Sequence, residues 1–206
     1  MIVVRRLGRV PPPFDPPRSP SLADPAHPGQ ARPEQVVLVD DAGRPIGVAD
    51  KASVHGARTP RHLAFSCYGF DDDGRLLVTR RSAGKLTFPS VLTNTCCGHP
   101  APGEDVGAAA ARRLLFELGL VPREMRVVLE DFSYRASDGQ VEENELCPVL
   151  VCRISGDVRA RAEEVDEVGW WSWSRFLDAA GDPASGLSPW ARLQAPLLDA
   201  VLHPAG

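Results

Sequence analysis

Residues 94–120 read Asn94-Thr95-Cys96-Cys97-Gly98-His99-Pro100-Ala101-Pro102-Gly103-Glu104, then seven residues, then Arg112-Arg113-Leu114-Leu115-Phe116-Glu117-Leu118-Gly119-Leu120. Val106, Ala110, Leu114 and Leu118 recur every four residues, which predicts a helix over 104–118 with an apolar stripe, an acidic first turn and Gly119 as its C-terminal stop. Arg113 stands four residues before Glu117, so a guanidinium and a carboxylate share one face of that helix. Ahead of it, a thiol (Cys97) and an imidazole (His99) flank Gly98. Neighbouring side chains of an extended segment point to opposite sides, so only one of Cys96 and Cys97 can face a ligand.

Around this helix, short apolar and β-branched runs at 36–39, 62–70, 75–80, 91–96, 126–134, 145–154 and 168–173 predict strands, separated by turns such as 41–43, 71–74 and 138–139. Ser188 followed by Pro189 predicts an N-cap with proline in the first helical position, opening a helix that runs through Leu193 toward Leu202 with a bend near Pro196. A shorter helix is expected from Ser174. Strands in the middle with helices on either side predict an α/β sandwich around a mixed sheet. Nine of the twenty prolines fall in residues 1–33, where no apolar periodicity survives. That segment is expected to be a disordered tail, and residues 34–206 a single domain.

The chain has 206 residues, 43% hydrophobic and 24% charged, which suits one domain with a sizeable core. A net charge of -4 supplies no basic field for nucleic acid, and no apolar run approaches the ~20 residues that span a bilayer. The opening Met1-Ile2-Val3-Val4-Arg5-Arg6 is too short for a secretory signal. A cytoplasmic protein with neither nucleic acid nor membrane as partner is expected. Five cysteines, an odd number without CxxC spacing, read as free thiols, with Cys67, Cys147 and Cys152 as small core residues.

His55 and His62 are separated by a segment containing Gly56, Thr59 and Pro60, so a loop could turn both rings toward one point; by itself the pair is a weak metal signal. Glu143 and Glu145 occupy positions i and i+2, one face of a strand, although Glu142-Glu143-Asn144-Glu145 reads equally as a solvated acidic edge. With His99, these residues make a three-nitrogen, two-carboxylate set suited to Mn, Zn, Fe or another borderline cation.

The spacing from Gly98 through Glu104 to Arg112 and Glu117 resembles the Nudix box, and Cys97-Gly98-His99 at its start resembles one Nudix branch, the type I isopentenyl diphosphate isomerases. The similarity covers roughly residues 36–195 and includes His62-Leu-Ala-Phe65, Leu76-Leu-Val-Thr-Arg-Arg81, Thr93-Asn-Thr-Cys-Cys-Gly-His-Pro100, Tyr134-Arg-Ala-Ser-Asp138, Asn144-Glu-Leu-Cys-Pro-Val149 and Ser188-Pro-Trp190. The Nudix pattern has glutamate where Arg113 and Phe116 stand. Two metal-gathering carboxylates are therefore missing, and diphosphate retention is expected in place of hydrolysis. Phe88 and Leu92 occupy positions where relatives often carry tryptophan.

The resemblance implies a Nudix-type α/β/α sandwich with a mixed central sheet, and flavin-independent interconversion of isopentenyl and dimethylallyl diphosphate for isoprenoid biosynthesis. It implies a small allylic or homoallylic diphosphate as partner and a monomer or weak homodimer. Lys51, Arg81, Lys85 and Arg113 take the positions that contact diphosphate. His55, His62, His99, Glu143 and Glu145 take those of a shell for Mn2+, Zn2+ or Mg2+. Glu117 and the Cys97 backbone carbonyl take those that hold Mg2+ arriving with substrate. Cys97 and Glu145 are the implied proton-transfer groups, with Tyr134 beside Glu145 and Trp190 offering an aromatic face to a developing carbocation. From composition alone Trp190 reads as a core anchor, and Arg80 as a surface charge. Two alternatives are a Nudix hydrolase of a nucleoside or prenyl diphosphate, and a noncatalytic metal- or nucleotide-binding module.

Overall fold

A computed structural model describes residues 34–204; the tail read over 1–33 lies outside the described residues. The first half comprises β1 (Gln35–Val39), β2 (Pro45–Asp50), α1 (Lys51–Val54), β3 (His62–Leu63), β4 (Phe65–Phe70), β5 (Leu76–Arg81), β6 (Leu92–Thr93), β7 (Cys96–Gly98) and α2 (Val106–Leu118). The second comprises β8 (Arg123–Leu129), β9 (Ser133–Ser137), β10 (Glu142–Leu146), β11 (Val149–Arg153), β12 (Val165–Trp171), α3 (Trp173–Gly181) and α4 (Pro189–Leu202).

The expected mixed pairing is present, divided between two sheets. One runs β2-β1-β3-β10-β9; the other runs β12-β5-β4-β11-β8, with β6 beside β5 and β7 beside β4. Each contains one parallel pair, β3 with β10 and β4 with β11, among antiparallel neighbours. Three runs that read as single strands break and pass from one sheet to the other: 62–70 at Ala64, 126–134 between β8 and β9, and 145–154 at Cys147-Pro148. Pro148 has no N–H to give a ladder. The backbone stays satisfied across the breaks, because Ala64 N donates to Leu146 O at 2.8 Å and Cys147 N to Phe132 O at 2.8 Å.

Strand alternation splits the core into two layers. On the larger sheet Tyr68, Leu76, Val78, Val149 and Val151 pack with Phe176, Trp190, Ala195 and Leu198 of α3 and α4. Their chain neighbours Cys67, Leu77, Leu150 and Cys152 pack on the opposite face with Ala109, Ala110, Leu114 and Leu118 of α2. Helices thus cover both faces, as period-two patterning on a doubly buried sheet requires.

Local chemistry sets the helix ends. α2 starts at Val106, later than the expected 104, because Asp105 adopts extended geometry and accepts Ala108 N at 3.0 Å; Glu104 lies outside the helix. Gly119 stops it as expected, at φ 69° with its N–H on Leu115 O at 3.0 Å. Ser172 caps α3, which therefore begins one residue before the expected Ser174. Ser188 caps α4, which continues through Pro196. β2 and α1, neither read from sequence, carry Lys51 and His55 into place; β2 is almost wholly exposed, Ile46 and Val48 included, so neither of its faces belongs to the core. No helix among the described residues is long and apolar enough to cross a membrane.

Candidate active site

The site lies where the two sheets part. A tight loop after α1, held by Gly56 N donating to the Thr59 hydroxyl at 3.1 Å, turns His55 toward His62 on β3, with ring centroids 5.2 Å apart. His99 follows β7, and its ring centroid is 5.0 Å from that of His62. Glu143 and Glu145 project from one face of β10 and are both buried, so the solvated-edge reading of this run is not what the fold makes. Asn144, between them, points the other way and donates to Thr59 O at 3.1 Å.

These five side chains turn ring nitrogens and carboxylate oxygens toward one another. His62 Nδ1 donates to Pro60 O at 2.9 Å and His55 Nδ1 to Lys51 O at 3.3 Å, which leaves each Nε2 facing inward. His62 Nε2 lies 3.1 Å from His99 Nε2 and 3.6 Å from Glu145 Oε1, and His99 Nε2 lies 3.2 Å from the same oxygen. His55 Nε2 is 3.1 Å from Glu143 Oε2, yet both atoms are buried without a hydrogen-bond partner. Buried acceptors crowded together are costly unless something positive lies between them, and imidazole nitrogens with carboxylate oxygens are donors a divalent metal of the Mn/Zn type accepts. His55, His62 and His99 form one group able to hold a metal ion, and His62, Glu143 and Glu145 another that shares His62. Burial works against the Glu145 carboxylate, but His62 and His99 outweigh it and hold the group below the usual carboxylate range.

Beside this cluster opens a pocket of about 400 Å3. Lys51, Arg81, Lys85 and Arg113 all line it, as do Cys97, Tyr134, Glu145 and Trp190. Arg113 is buried; it pairs with Glu117 at 2.6 Å and with Glu164 at 3.0 Å, and Glu164 also pairs with Lys85. Burial pulls the Lys85 ammonium down to about 8, with Glu117 opposing and Arg81 and Arg113 reinforcing that shift. Arg81 donates to Phe88 O at 3.0 Å and Thr87 O at 2.8 Å, and its guanidinium sits 5.7 Å from the Trp190 ring centre. The loop so held turns through positive φ at two non-glycine residues, Phe88 at 46° and Ser90 at 61°, a strained path that brings Lys85 and Thr87 to the pocket wall.

Cys97 and Cys96 point apart. Cys96 is buried in the layer beneath α2, whereas Cys97 packs toward the opposite layer and borders the pocket. Burial pushes the Cys97 thiol up to about 11, against the pull of Ser66 and Arg81. Gly98 between Cys97 and His99 admits close neighbours: a Cβ there would lie 3.1 Å from the Phe65 ring and 3.2 Å from Arg113 Cγ. Glu145 and Tyr134 are direct cross-strand partners, and the Tyr134 ring leans on that of Trp190, tilted by 39° with centroids 5.8 Å apart.

Other box positions lie elsewhere. Glu117 is buried behind Arg113 and is not among the pocket-lining residues. Glu104 pairs with Arg112 at 2.8 Å, away from the pocket. Phe116 is exposed under the Arg161 guanidinium, 4.3 Å from its ring centre. Arg80 pairs with Glu167 at 2.9 Å outside the site. Sequence reading missed Glu34, Glu163 and Glu164, which line the cation side of the pocket, and also Ser66 and Asn94, which touch the Cys97 sulfur. Charged and polar residues of this kind read as surface or turn residues in a linear chain; Asn94 lies within the 93–100 word that carries the resemblance, but nothing in the sequence gives its side chain a role.

The NUDIX domain profile matches residues 60–191. The isopentenyl-diphosphate Delta-isomerase of Mycolicibacterium vanbaalenii is 54% identical over 170 residues, 82% of this chain and 93% of the relative. That of Cutibacterium acnes is 52% identical over 164 residues, 76% of this chain and 82% of the relative. Among solved structures, the MutT protein of Methanosarcina mazei aligns with 70% of this chain and 96% of its own at a TM-score of 0.56 and 19% identity, a likeness of fold alone.

Proposed function

This chain belongs to the isopentenyl-diphosphate Delta-isomerase family of NUDIX-domain proteins, and from that premise we propose that its pocket interconverts isopentenyl and dimethylallyl diphosphate by adding one proton to the carbon skeleton and removing another. The observation that carries the reading is one pocket lined by four cationic side chains and by Cys97, Glu145, Tyr134 and Trp190.

Lys51, Arg81, Lys85 and Arg113 bind the diphosphate as charge-assisted donors. In the forward direction Glu145 delivers a proton to the terminal methylene, the π electrons form the new C–H bond, and positive charge appears on the tertiary carbon. Cys97 then takes a proton from the neighbouring methylene, and that C–H pair becomes the new double bond. The reverse reaction exchanges the two roles. Each turnover conserves protons, so thiol and carboxyl swap protonation state. The buried Cys97 thiol, raised to about 11, and the lowered Glu145 favour the proton on sulfur, the arrangement from which the reverse reaction starts; the forward reaction starts from the opposite one. The Trp190 face, held against Phe88 with ring centroids 5.3 Å apart, stabilises the developing cation.

His55, His62, His99, Glu143 and Glu145 would hold a divalent metal through their inward nitrogens and carboxylate oxygens. When bound, it would neutralise the crowded acceptors and orient Glu145. Mg2+ entering with the substrate would meet the carboxylate side of the cation cluster, with Glu117 and the Cys97 carbonyl as proposed ligands. Hydrolysis is disfavoured by Arg113, whose charge replaces a metal-binding carboxylate and is directed at Glu117 and Glu164.

Purified protein incubated with isopentenyl diphosphate, Mg2+ and Mn2+ in D2O without flavin tests this. Dimethylallyl diphosphate carrying one new deuterium is the expected product; phosphate or pyrophosphate release without isomer would replace the reading with the hydrolase.

A further inference from the structure

We infer that Asn94, which borders neither the metal cluster nor the cation cradle, is a positioning residue that fixes the Cys97 sulfur and the Trp190 indole through a single carbonyl oxygen. The inference rests on the functional reading above, in which those two groups face the substrate.

Asn94 is fully buried in the link between β6 and β7. Its amide can sit only one way round. Nδ2 donates to Cys67 O at 3.0 Å on β4 and to Cys96 O at 2.9 Å on β7. A flipped amide would set oxygen against both carbonyls and nitrogen against three donors. Oδ1 therefore faces the other side, where it accepts from Cys97 Sγ at 3.2 Å, from Trp190 Nε1 at 3.1 Å and from the Thr93 hydroxyl at 2.8 Å.

An oxygen has two good lone-pair directions, and the surplus donor has a second acceptor: Trp190 Nε1 also reaches Thr93 Oγ1 at 2.9 Å. That hydroxyl lies 3.0 Å from Ser188 Oγ, the N-cap of α4. The thiol has one hydrogen and a rotor with several wells, and among the described residues its other hydrogen-bond partner, Ser66 Oγ, is at 3.7 Å. Asn94 thus selects the S–H rotamer and at the same time fixes the edge of the indole. A thiol on a strand and a tryptophan on a helix, 93 positions apart in sequence, share one reference point. Ordering both before substrate arrives removes rotamer freedom that the reaction would otherwise have to freeze.

The test reads the thiol hydrogen bond directly. The S–H infrared stretch lies in a window clear of other protein bands, and subtracting the Cys97→Ala spectrum from that of the unmodified protein isolates the Cys97 band. It should lie at the lowered frequency of a hydrogen-bonded thiol, and Asn94→Ala should move it up. In the same variant kcat should fall about 10- to 100-fold while KM stays within about twofold, because the diphosphate cradle is untouched. A Cys97 band at the free-thiol frequency in the unmodified protein overturns the inference even if no Asn94 variant folds. A wild-type kcat in Asn94→Ala, or a KM that rises as much as kcat falls, overturns it as well. Absence of isomerisation by the unmodified protein would instead count against the functional reading, and the band position would still decide the hydrogen bond.

Discussion

The Nε2 atoms of His62 and His99 lie 3.1 Å apart, and His62 already gives its Nδ1 proton to Pro60 O. With Glu145 Oε1 within 3.6 Å of both nitrogens, the natural occupant of the space is a cation. Purified protein is expected to carry metal, and His62→Ala to lose most of it. Chelation should abolish turnover and lower Tm, since a ligand bound only by the folded state adds about 2.7 kcal/mol at a hundredfold excess over Kd. Elemental analysis of both proteins checks this; unchanged stoichiometry in His62→Ala removes it from the ligand set.

The two adjacent thiols should separate cleanly. Cys97→Ala removes a proton-transfer group, an effect of roughly 10²- to 10⁴-fold on kcat. Cys97→Ser should also be severely impaired, because a hydroxyl is a far weaker base than a thiolate. Cys96→Ala empties a sulfur-sized space beneath α2 and should cost about 1 kcal/mol of stability with activity retained. Initial rates at matched metal content decide the assignment, and wild-type rates in Cys97→Ala would remove it.

Lys85 gives the pocket a pH dependence in the alkaline range. Its ammonium is lowered to about 8, so it is charged below that pH and neutral above it. KM for the diphosphate should therefore rise as pH increases through about 8. The effect on kcat should be smaller, because bound diphosphate restores the charged form. Lys85→Met should raise KM at neutral pH and erase the inflection; a profile of kcat/KM that keeps its shape in this variant assigns the titration elsewhere.

Arg113 holds together buried carboxylates as well as facing the pocket. Its removal leaves Glu117 and Glu164 without their guanidinium partner, and loss of one side of a buried pair typically costs about 3–5 kcal/mol. Arg113→Ala should be less stable in denaturant titration and weaker in substrate binding. Arg113→Glu, which restores the Nudix carboxylate, should be worse on both counts and gain no hydrolysis, because Phe116 still lacks the second carboxylate. Phosphate release by Arg113→Glu would contradict this.

The helix of the 94–120 stretch, its glycine stop, the capped α4 and most strand runs were legible because capping, period-four and period-two patterns are local properties of a chain. So were Cys97, Arg113 and the histidines, as parts of a resemblance carried by ordered words. The two-sheet division was not legible. Residues 62–70 and 145–154 look continuous in sequence, and only pairing with partners far along the chain decides that Ala64 and Cys147-Pro148 are crossings.

Sequence by itself determined which residue types are available: three imidazoles, two carboxylates one residue apart, four cations and one thiol beside a glycine. The resemblance singled out Cys97, Glu143 and Glu145 beforehand; tertiary structure supplied the surroundings, in which Glu143 and Glu145 are buried on one strand face, Cys97 borders the pocket while Cys96 lies against α2, and Asn94, given no role by the sequence, touches both Cys97 and Trp190. The physical reason is that strand alternation fixes only that neighbours point oppositely. Which side becomes core and which becomes pocket depends on the apolar faces of α2, α3 and α4 and on where two sheets part.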